Sequence, residues 1–323
     1  MTSSYPAKEF SLLLEWMDAM SEDKYEKCFQ VAQSAKVNVS NIRGSVEILS
    51  GQDGTIQVTA VKNAHTGDGR RTGIEISQEA DGTVRVATHF PEGGWNWLFG
   101  SRACTVDYIV KVPHECSLKV NNISSTLCVK GIKGACDVKS VSGDVALHDL
   151  QGTMHIHTIS GEIDGENIAG PLNLETISGD MTLKGSSLPS IDARTVSGSL
   201  HAQTQLADGP YHFRSISGDV HLTLPPMTRC TAELHTVSGD LISAFPIQGY
   251  IHDHGNQTIN VQGGGVNLSL NSVSGNLSLD SNEEIPPVLA ATGSTNAKDR
   301  RKVLAGIERG ELTVEEGLTK LKG

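Results

Sequence analysis

The sequence predicts a mainly β protein, a parallel β-solenoid of about 18–21 residues and two strands per rung. Three observations predict it. A five-residue motif, Ser/Thr-Val/Ile-Ser-Gly-Asp, recurs at nearly fixed spacing. The residues around it alternate apolar and polar, as half-buried strands do. A second turn signal falls between successive copies.

The motif stands at Ser140-Val141-Ser142-Gly143-Asp144 and returns at Thr158 to Glu162, Thr176 to Asp180, Thr195 to Ser199, Ser215 to Asp219, Thr236 to Asp240 and Ser272 to Asn276. Its second serines, Ser142, Ser160, Ser178, Ser197, Ser217, Ser238 and Ser274, lie 18, 18, 19, 20, 21 and 36 residues apart. Degenerate copies are expected at Asn122-Ile123-Ser124-Ser125 and, inside the long gap, at His254-Gly255-Asn256. The second turn is marked by Gly134, Gly152, Gly170, Pro189, Gly209, Pro225-Pro226 and Gly249. Two strands of six or seven residues fit between the turns, with rungs ~4.8 Å apart.

Composition narrows the function classes. The chain has 323 residues, a formal net charge of -11 and only 4% aromatic residues. That balance excludes a general nucleic-acid or anionic-membrane binder, which needs clustered Lys/Arg. Any membrane association is expected to be indirect. Cys28, Cys104, Cys116, Cys128, Cys136 and Cys230 form no C-x-x-C pair and no zinc spacing. Several fall in strand patterns as small hydrophobes, which suits a reducing compartment. No window reaches the ~18 apolar residues of a membrane span. Glu9, Glu15 and Asp18 interrupt any signal-peptide core, so the expected location is cytoplasmic.

Taken in order, residues 1–24 carry an amphipathic helix over about 6–20. Phe10, Leu13, Leu14 and Met17 share one face, widened by Leu12, Trp16 and Met20. It is expected to pack on the β body; a partner-binding role is the alternative. Residues 25–115 form a β region leading into the solenoid, with Val37, Val39, Val46, Ile48, Ile56 and Val58 on alternating positions. Within it, a glycine-flanked loop holds Trp95, Trp97 and Phe99, the one candidate recognition patch, with a lid over the sheet as its structural alternative.

Residues 116–280 are the repeats. Val138, Ile156, Leu174, Ala193, Phe213, Leu234 and Leu270 make an aliphatic ladder facing the core before the corner. Val145, Ile163, Met181, Leu200, Val220, Leu241 and Leu277 do so after it. The opposite alternation, including Lys139, His155, His157, Arg194, Arg214 and His235, is solvated. The corners themselves are Gly143 with Asp144, Gly161 with Glu162, Gly179 with Asp180, Gly198, Gly218 with Asp219, Gly239 with Asp240, and Gly275. Glycine makes the turn, Ser and Asp satisfy it through local backbone bonds, and the motif's Val/Ile is expected to be turned inward at a bend and to fasten the corner to the core. Residues 281–296 are a linker. Residues 297–323 are a helical hairpin with Gly310 as C-cap and Thr313–Glu316 as capping box. So small a hairpin is expected to dock or self-associate.

No catalytic constellation emerges. Stacked carboxylates Asp144, Glu162, Asp180, Asp219 and Asp240 could ligate a cation, but Ser199 and Asn276 interrupt the column and turn chemistry explains it. His155, His157, His212 and His235 lie on different rungs, and no convergent ligand set is implied. Asp192, Arg194, Arg214 and Asp164 or Asp180 would be the groups of a carbohydrate-cleaving solenoid; a cross-rung charge ladder explains them equally. No cofactor or metal is expected.

The seven-fold motif, with the strands before it and Tyr108-Ile109-Val110-Lys111-Val112-Pro113, resembles the bacterial "putative adhesin" β-strand-repeat family over about residues 26–280. Arg300-Arg301-Lys302-Val303-Leu304 through Glu316 resembles the short C-terminal hairpin of the SHOCT type, which implies oligomerisation or docking. The expected function is a non-enzymatic, adhesin-like intracellular scaffold for a protein partner or for self-association, with a carbohydrate-binding or carbohydrate-active β-helix as the alternative.

Overall fold

The computed structural model describes residues 22–31, 35–67, 69–90, 102–253 and 256–282. The expected N-terminal helix, the Trp95–Trp97–Phe99 loop, the linker beyond Asn282 and the C-terminal hairpin lie outside them.

Seven strands form the N-terminal part: β1 (Glu22–Gln30), β2 (Ala35–Ser50), β3 (Thr55–Asn63), β4 (Gly73–Gln78), β5 (Val84–His89), β6 (Thr105–Val112) and β7 (Cys116–Lys130). Paired short strands follow, one before and one after each corner: β8 (Cys136–Ser142) and β9 (Val145–His148), β10 (Met154–Ser160) and β11 (Ile163–Glu166), β12 (Leu172–Ser178) and β13 (Met181–Ser186). The series continues with β14 (Ile191–Ser197) and β15 (Leu200–Thr204), then β16 (Tyr211–Ser217) and β17 (Val220–Leu224). Six strands close it: β18 (Cys230–His235), β19 (Leu241–Ser243), β20 (Ile247–Asp253), β21 (Asn256–Val261), β22 (Val266–Ser274) and β23 (Leu277–Ser281).

The period-18 pattern becomes a parallel stack. On the face before the corner, β7, β8, β10, β12, β14 and β16 pair in strict register, so that Cys136, Met154, Leu172, Ile191 and Tyr211 lie above one another. On the face after it, β7, β9, β11, β13, β15 and β17 also pair in parallel, with one register shift between Leu183 and Ser186 of β13. Parallel bridges at Glu115, Lys133, Gln151, Ala169 and Ser187 give the coil a short third side. The rungs start before residue 116. The long strand β2 bends through both faces and pairs in parallel with β7 from Ala35 to Leu49. The intervening residues close that end: β5 and β6 pair with β2, and antiparallel β4, β3 and β1 lie beyond them.

The 36-residue gap has a different origin from the one expected. The chain does not lay down a degenerate rung at His254-Gly255-Asn256. It leaves a slot, builds β18 and β19, turns back through the antiparallel hairpin β20–β21, and then fills the slot with β22 and β23. As a result β22 pairs with β16 on one side and β18 on the other, and β23 lies between β17 and β19. His254 and Gly255 lie outside the described residues. Antiparallel strands therefore cap both faces at the N-terminal end and the face before the corner at the C-terminal end, covering parallel edges that would template aggregation, while β19 pairs only with β23 among the described strands.

Both predicted core ladders face inward. Val138, Ile156, Leu174, Ala193, Phe213, Leu270 and Leu234 are buried, as are Val145, Ile163, Met181, Leu200, Val220, Leu277 and Leu241. The thiols of Cys116, Cys136 and Cys230 sit among them, and burial pushes each up to about 12. They pack as small hydrophobes.

The corner glycines from Gly143 to Gly218 are required twice over. Gly179 has φ +131, a region that costs a residue with a Cβ ~1–2 kcal/mol. A Cβ there would also meet the carbonyl oxygen of Gly161 in the rung beneath. The same stacking joins Gly161 to Gly143, Gly198 to Gly179, Gly218 to Gly198, Gly275 to Gly218 and Gly239 to Gly275. Gly82 supplies the contrast: φ +86, with nothing near its missing Cβ. Gly179→Ala is thus expected to cost more than ~3 kcal/mol and Gly82→Ala only ~1 kcal/mol, in urea unfolding of the full chain. Equal losses would show that rung stacking does not set the glycine requirement.

Candidate functional site

The motif's Val/Ile does not turn inward. Strict period-2 alternation continues through it with no bulge, so the opening Ser/Thr points into the coil and the next residue points out. Ser140, Thr158, Thr176 and Ser215 are buried. Thr158 donates to the hydroxyl of Thr176 at 3.0 Å, which in turn donates to the carbonyl of Ser178 at 3.3 Å. The aliphatic residues stand on the surface: Ile123, Val141, Ile159, Ile177, Val196, Ile216, Val273 and Val237, from 41% exposed at Ile159 to 85% at Val237. The expectation that they fasten the corner to the core is wrong. At the first rung the half-buried Ile42 heads the column.

This ladder is continuous. Parallel register puts each member one rung from the next, so the eight side chains from Ile123 to Val237 cover ~34 Å at ~4.8 Å per rung. Scattered surface aliphatics need no explanation; an uninterrupted strip of this length does, because folding alone does not call for it.

Two polar rails flank it. On the corner side stand Asp144, Glu162, Asp180, Ser199, Asp219, Asn276 and Asp240. They hold one another's rungs together instead of satisfying their own turns. Asp144 Oδ1 accepts from the backbone N–H of Glu162 at 3.0 Å, and Asp180 Oδ1 from Ser199 at 2.8 Å. Asp219 Oδ1 accepts from Asn276 at 2.7 Å, and Asn276 Oδ1 from Asp240 at 2.8 Å. Asp107, three rungs before Asp144 in the same column, makes the same kind of contact by accepting from the N–H and hydroxyl of Ser45 at 2.8 and 2.6 Å. The sequence hides this member because no Ser-Gly precedes it. Using Oδ1 in the stack leaves Oδ2 of each aspartate available to the outside.

The other rail is Lys139, His157, Glu175, Arg194, Arg214, Asn271 and His235. Arg194 bridges Glu175 and Asp192, each at 3.1 Å, while Lys139 and Arg214 are exposed cations. The candidate hydrolytic set is not assembled: Asp192, Arg194 and Arg214 share the face before the corner, Asp180 sits at the corner, and Asp164 projects from the other face. Among the described residues no cluster of His, Cys, Asp and Glu could hold a metal ion. His155 and His157 stand three rungs from His212, and His235 is further along. No helix of the described residues is long and apolar enough to cross a membrane.

What these features define is a β-solenoid protein with a hydrophobic strip along its corner. The chain belongs to the Toastrack DUF4097 family, whose model matches residues 35–280, from the first rung to the last. Among solved structures it is similar to a "putative adhesin" from Bacteroides fragilis NCTC 9343, at 9% identity and a TM-score of 0.45, over 80% of this chain and 98% of that one. It is similar also to a "putative lipid binding protein" from Parabacteroides distasonis ATCC 8503, at 9% identity and a TM-score of 0.39, over 81% and 97%. No curated protein matches it.

Two outcomes follow from the inverted corner. Ile177→Asp is expected to change unfolding free energy by under ~0.5 kcal/mol, as surface substitutions do, whereas Leu174→Ala, three residues away, should cost ~2–5 kcal/mol. Comparable losses would put Ile177 in the core. For the carboxylate rail, Asp180→Ala should cost ~1 kcal/mol by removing one inter-rung hydrogen bond. Asp180→Asn should cost less, since Asn276 already fills that role in the same column. An Asn variant as damaged as the Ala variant would refute the hydrogen-bond assignment.

Proposed function

We propose that the protein is a non-enzymatic, adhesin-like interaction module whose working surface is the aliphatic ladder between its two charged rails, used to hold a protein partner. The observation that carries this is the exposure of Ile123 through Val237 in unbroken register. Selection for folding alone would place polar residues there, as it does at the neighbouring positions. The long, flat strip suits a helix or extended segment laid along the stack, with the rails setting its charge pattern. Buried free thiols at Cys116, Cys136 and Cys230 suit an intracellular setting. The exposed large side chains along this face are aliphatic, and a carbohydrate platform would favour aromatic rings, so the carbohydrate reading gains no support.

Quantitative affinity capture from the native host, with the full chain as bait, tests this. The double variant Ile177→Asp/Val196→Asp is expected to lose the partner that the unaltered chain retains, while keeping the β-sheet circular dichroism and cooperative unfolding of a folded chain. Identical captures by both baits would remove the ladder from the function.

A further inference from the structure

We infer that the ladder is covered, within the same chain, by the C-terminal segment 298–321, so that the protein masks its own interaction surface. This rests on the reading of the ladder as that surface. Three observations select the occupant.

The first is charge. The corner rail presents Asp144, Glu162, Asp180, Asp219 and Asp240 in one column, four of them exposed and Asp219 half-buried. An occupant lying against it must carry cations. In a chain of net charge -11, residues 298–309 are locally basic: Lys298, Arg300, Arg301, Lys302 and Arg309 against Asp299 and Glu308. The other amphipathic segment, residues 6–20, carries Lys8 against Glu9, Glu15 and Asp18, the wrong sign for that rail. A second copy of the body would set one strongly acidic molecule against another.

The second is apolar content. Val303, Leu304 and Ile307 follow the basic run at the i, i+1, i+4 spacing of one helical face, and beyond the Gly310 cap Val314, Leu318 and Leu321 give the second helix a face of its own at i, i+4, i+7. A helix advances ~5.4 Å per turn and the ladder ~4.8 Å per rung. Laid along the stack, one apolar turn meets about one rung. Glu311, Glu315 and Glu316 provide the complement for Lys139 and Arg214 on the opposite rail.

The third is reach. The last described residue, Asn282, is tied to the body by its N–H bonding to the carbonyl of Leu224 at 3.1 Å. Residues 283–297 then intervene; fifteen residues extend up to ~50 Å, longer than the ~34 Å ladder. A tether of that length holds the segment at an effective concentration near the millimolar range, enough for a modest apolar contact to persist.

Zero-length carbodiimide cross-linking of the full chain, mixed from 14N and 15N preparations, tests the assignment. The expected result is adducts joining Lys298 or Lys302 to Asp144, Glu162, Asp180, Asp219 or Asp240, each carrying a single isotope. In parallel, tryptic cleavage at Arg300–Lys302 should be about tenfold or more faster in Ile177→Asp/Val196→Asp, because cleavage follows the undocked population. Leu304→Glu/Ile307→Glu, which alters only the segment, should give the same acceleration without touching the body. Mixed-isotope adducts would overturn the intrachain assignment in favour of a second copy. Adducts from Glu9, Glu15 or Asp18 to Lys139 would overturn it in favour of the N-terminal segment. Absent adducts with equal cleavage rates would overturn it outright. Partner capture separates this inference from the reading beneath it: capture lost in the ladder variant with no segment adducts leaves the surface and removes its mask, whereas adducts with unchanged capture do the reverse.

Discussion

Everything in this fold hangs on the approach of one backbone to another at the corner. From Gly143 to Gly239 each glycine's missing Cβ would sit on the carbonyl oxygen of the rung beneath. The turn can be that tight only if every rung makes it in the same place, and this phase-locks the coil. Once the corners are in phase, strand register follows without further instruction: Met154 over Cys136, Ile163 over Val145. Length changes then fall away from the corner, in the second turn and at the one-residue shift within β13. That explains how the repeat can lengthen from 18 to 21 residues while the ladders stay aligned.

The same phase lock determines what each column becomes. A column is a row of one side chain per rung at a fixed spacing, so a property shared by the repeats is summed along the axis. Carboxylates sum to a rail that staples the stack through inter-rung bonds from Asp144, Asp180 and Asp219. Hydroxyls sum to an internal row beside the corner, where the walls converge and only small side chains fit. Aliphatics two residues before the glycine sum to the surface strip. One exposed isoleucine is unremarkable chemistry; eight exposed aliphatics in register are a surface with a direction and a length.

Much of the architecture was legible because the repeat is its own alignment. Period, two strands per rung and both core ladders could be assigned by comparing copies within one chain. Two things could not. The polarity of the corner sets two rules against each other: apolar residues are expected inside, whereas alternation from Ile156 through Thr158 to Ser160 puts Ile159 outside, and the period wins. The end of the stack is hidden because strand order is not encoded in spacing. A gap of 36 residues is consistent with a weak rung or with a detour, and only the antiparallel pairing of β18 with β21 separates them. Asp107, likewise, plays a corner aspartate's part without a corner motif. It was invisible to a search for the motif, though the residue type and the pairing with Ser45 are the same.

The two charged rails bear on why an apolar strip is tolerable at all. A bare ladder of ~34 Å on a free sheet face invites association with any exposed strand or helix. Here it runs between a carboxylate row three residues after it and a row holding Lys139, Arg194 and Arg214 two residues before it. An incoming segment must therefore match apolar contact in the middle with opposite signs at its two edges. On the proposed reading, charge mismatched at either rail disfavours the wrong segment, so the rails would act chiefly as a filter and the strip as the adhesive. Such a division lets affinity and selectivity vary independently: lengthening the stack by one rung adds adhesive, while exchanging Asp for Ser or Asn at a corner, as at Ser199 and Asn276, edits the filter and leaves the inter-rung stacking of the glycines intact.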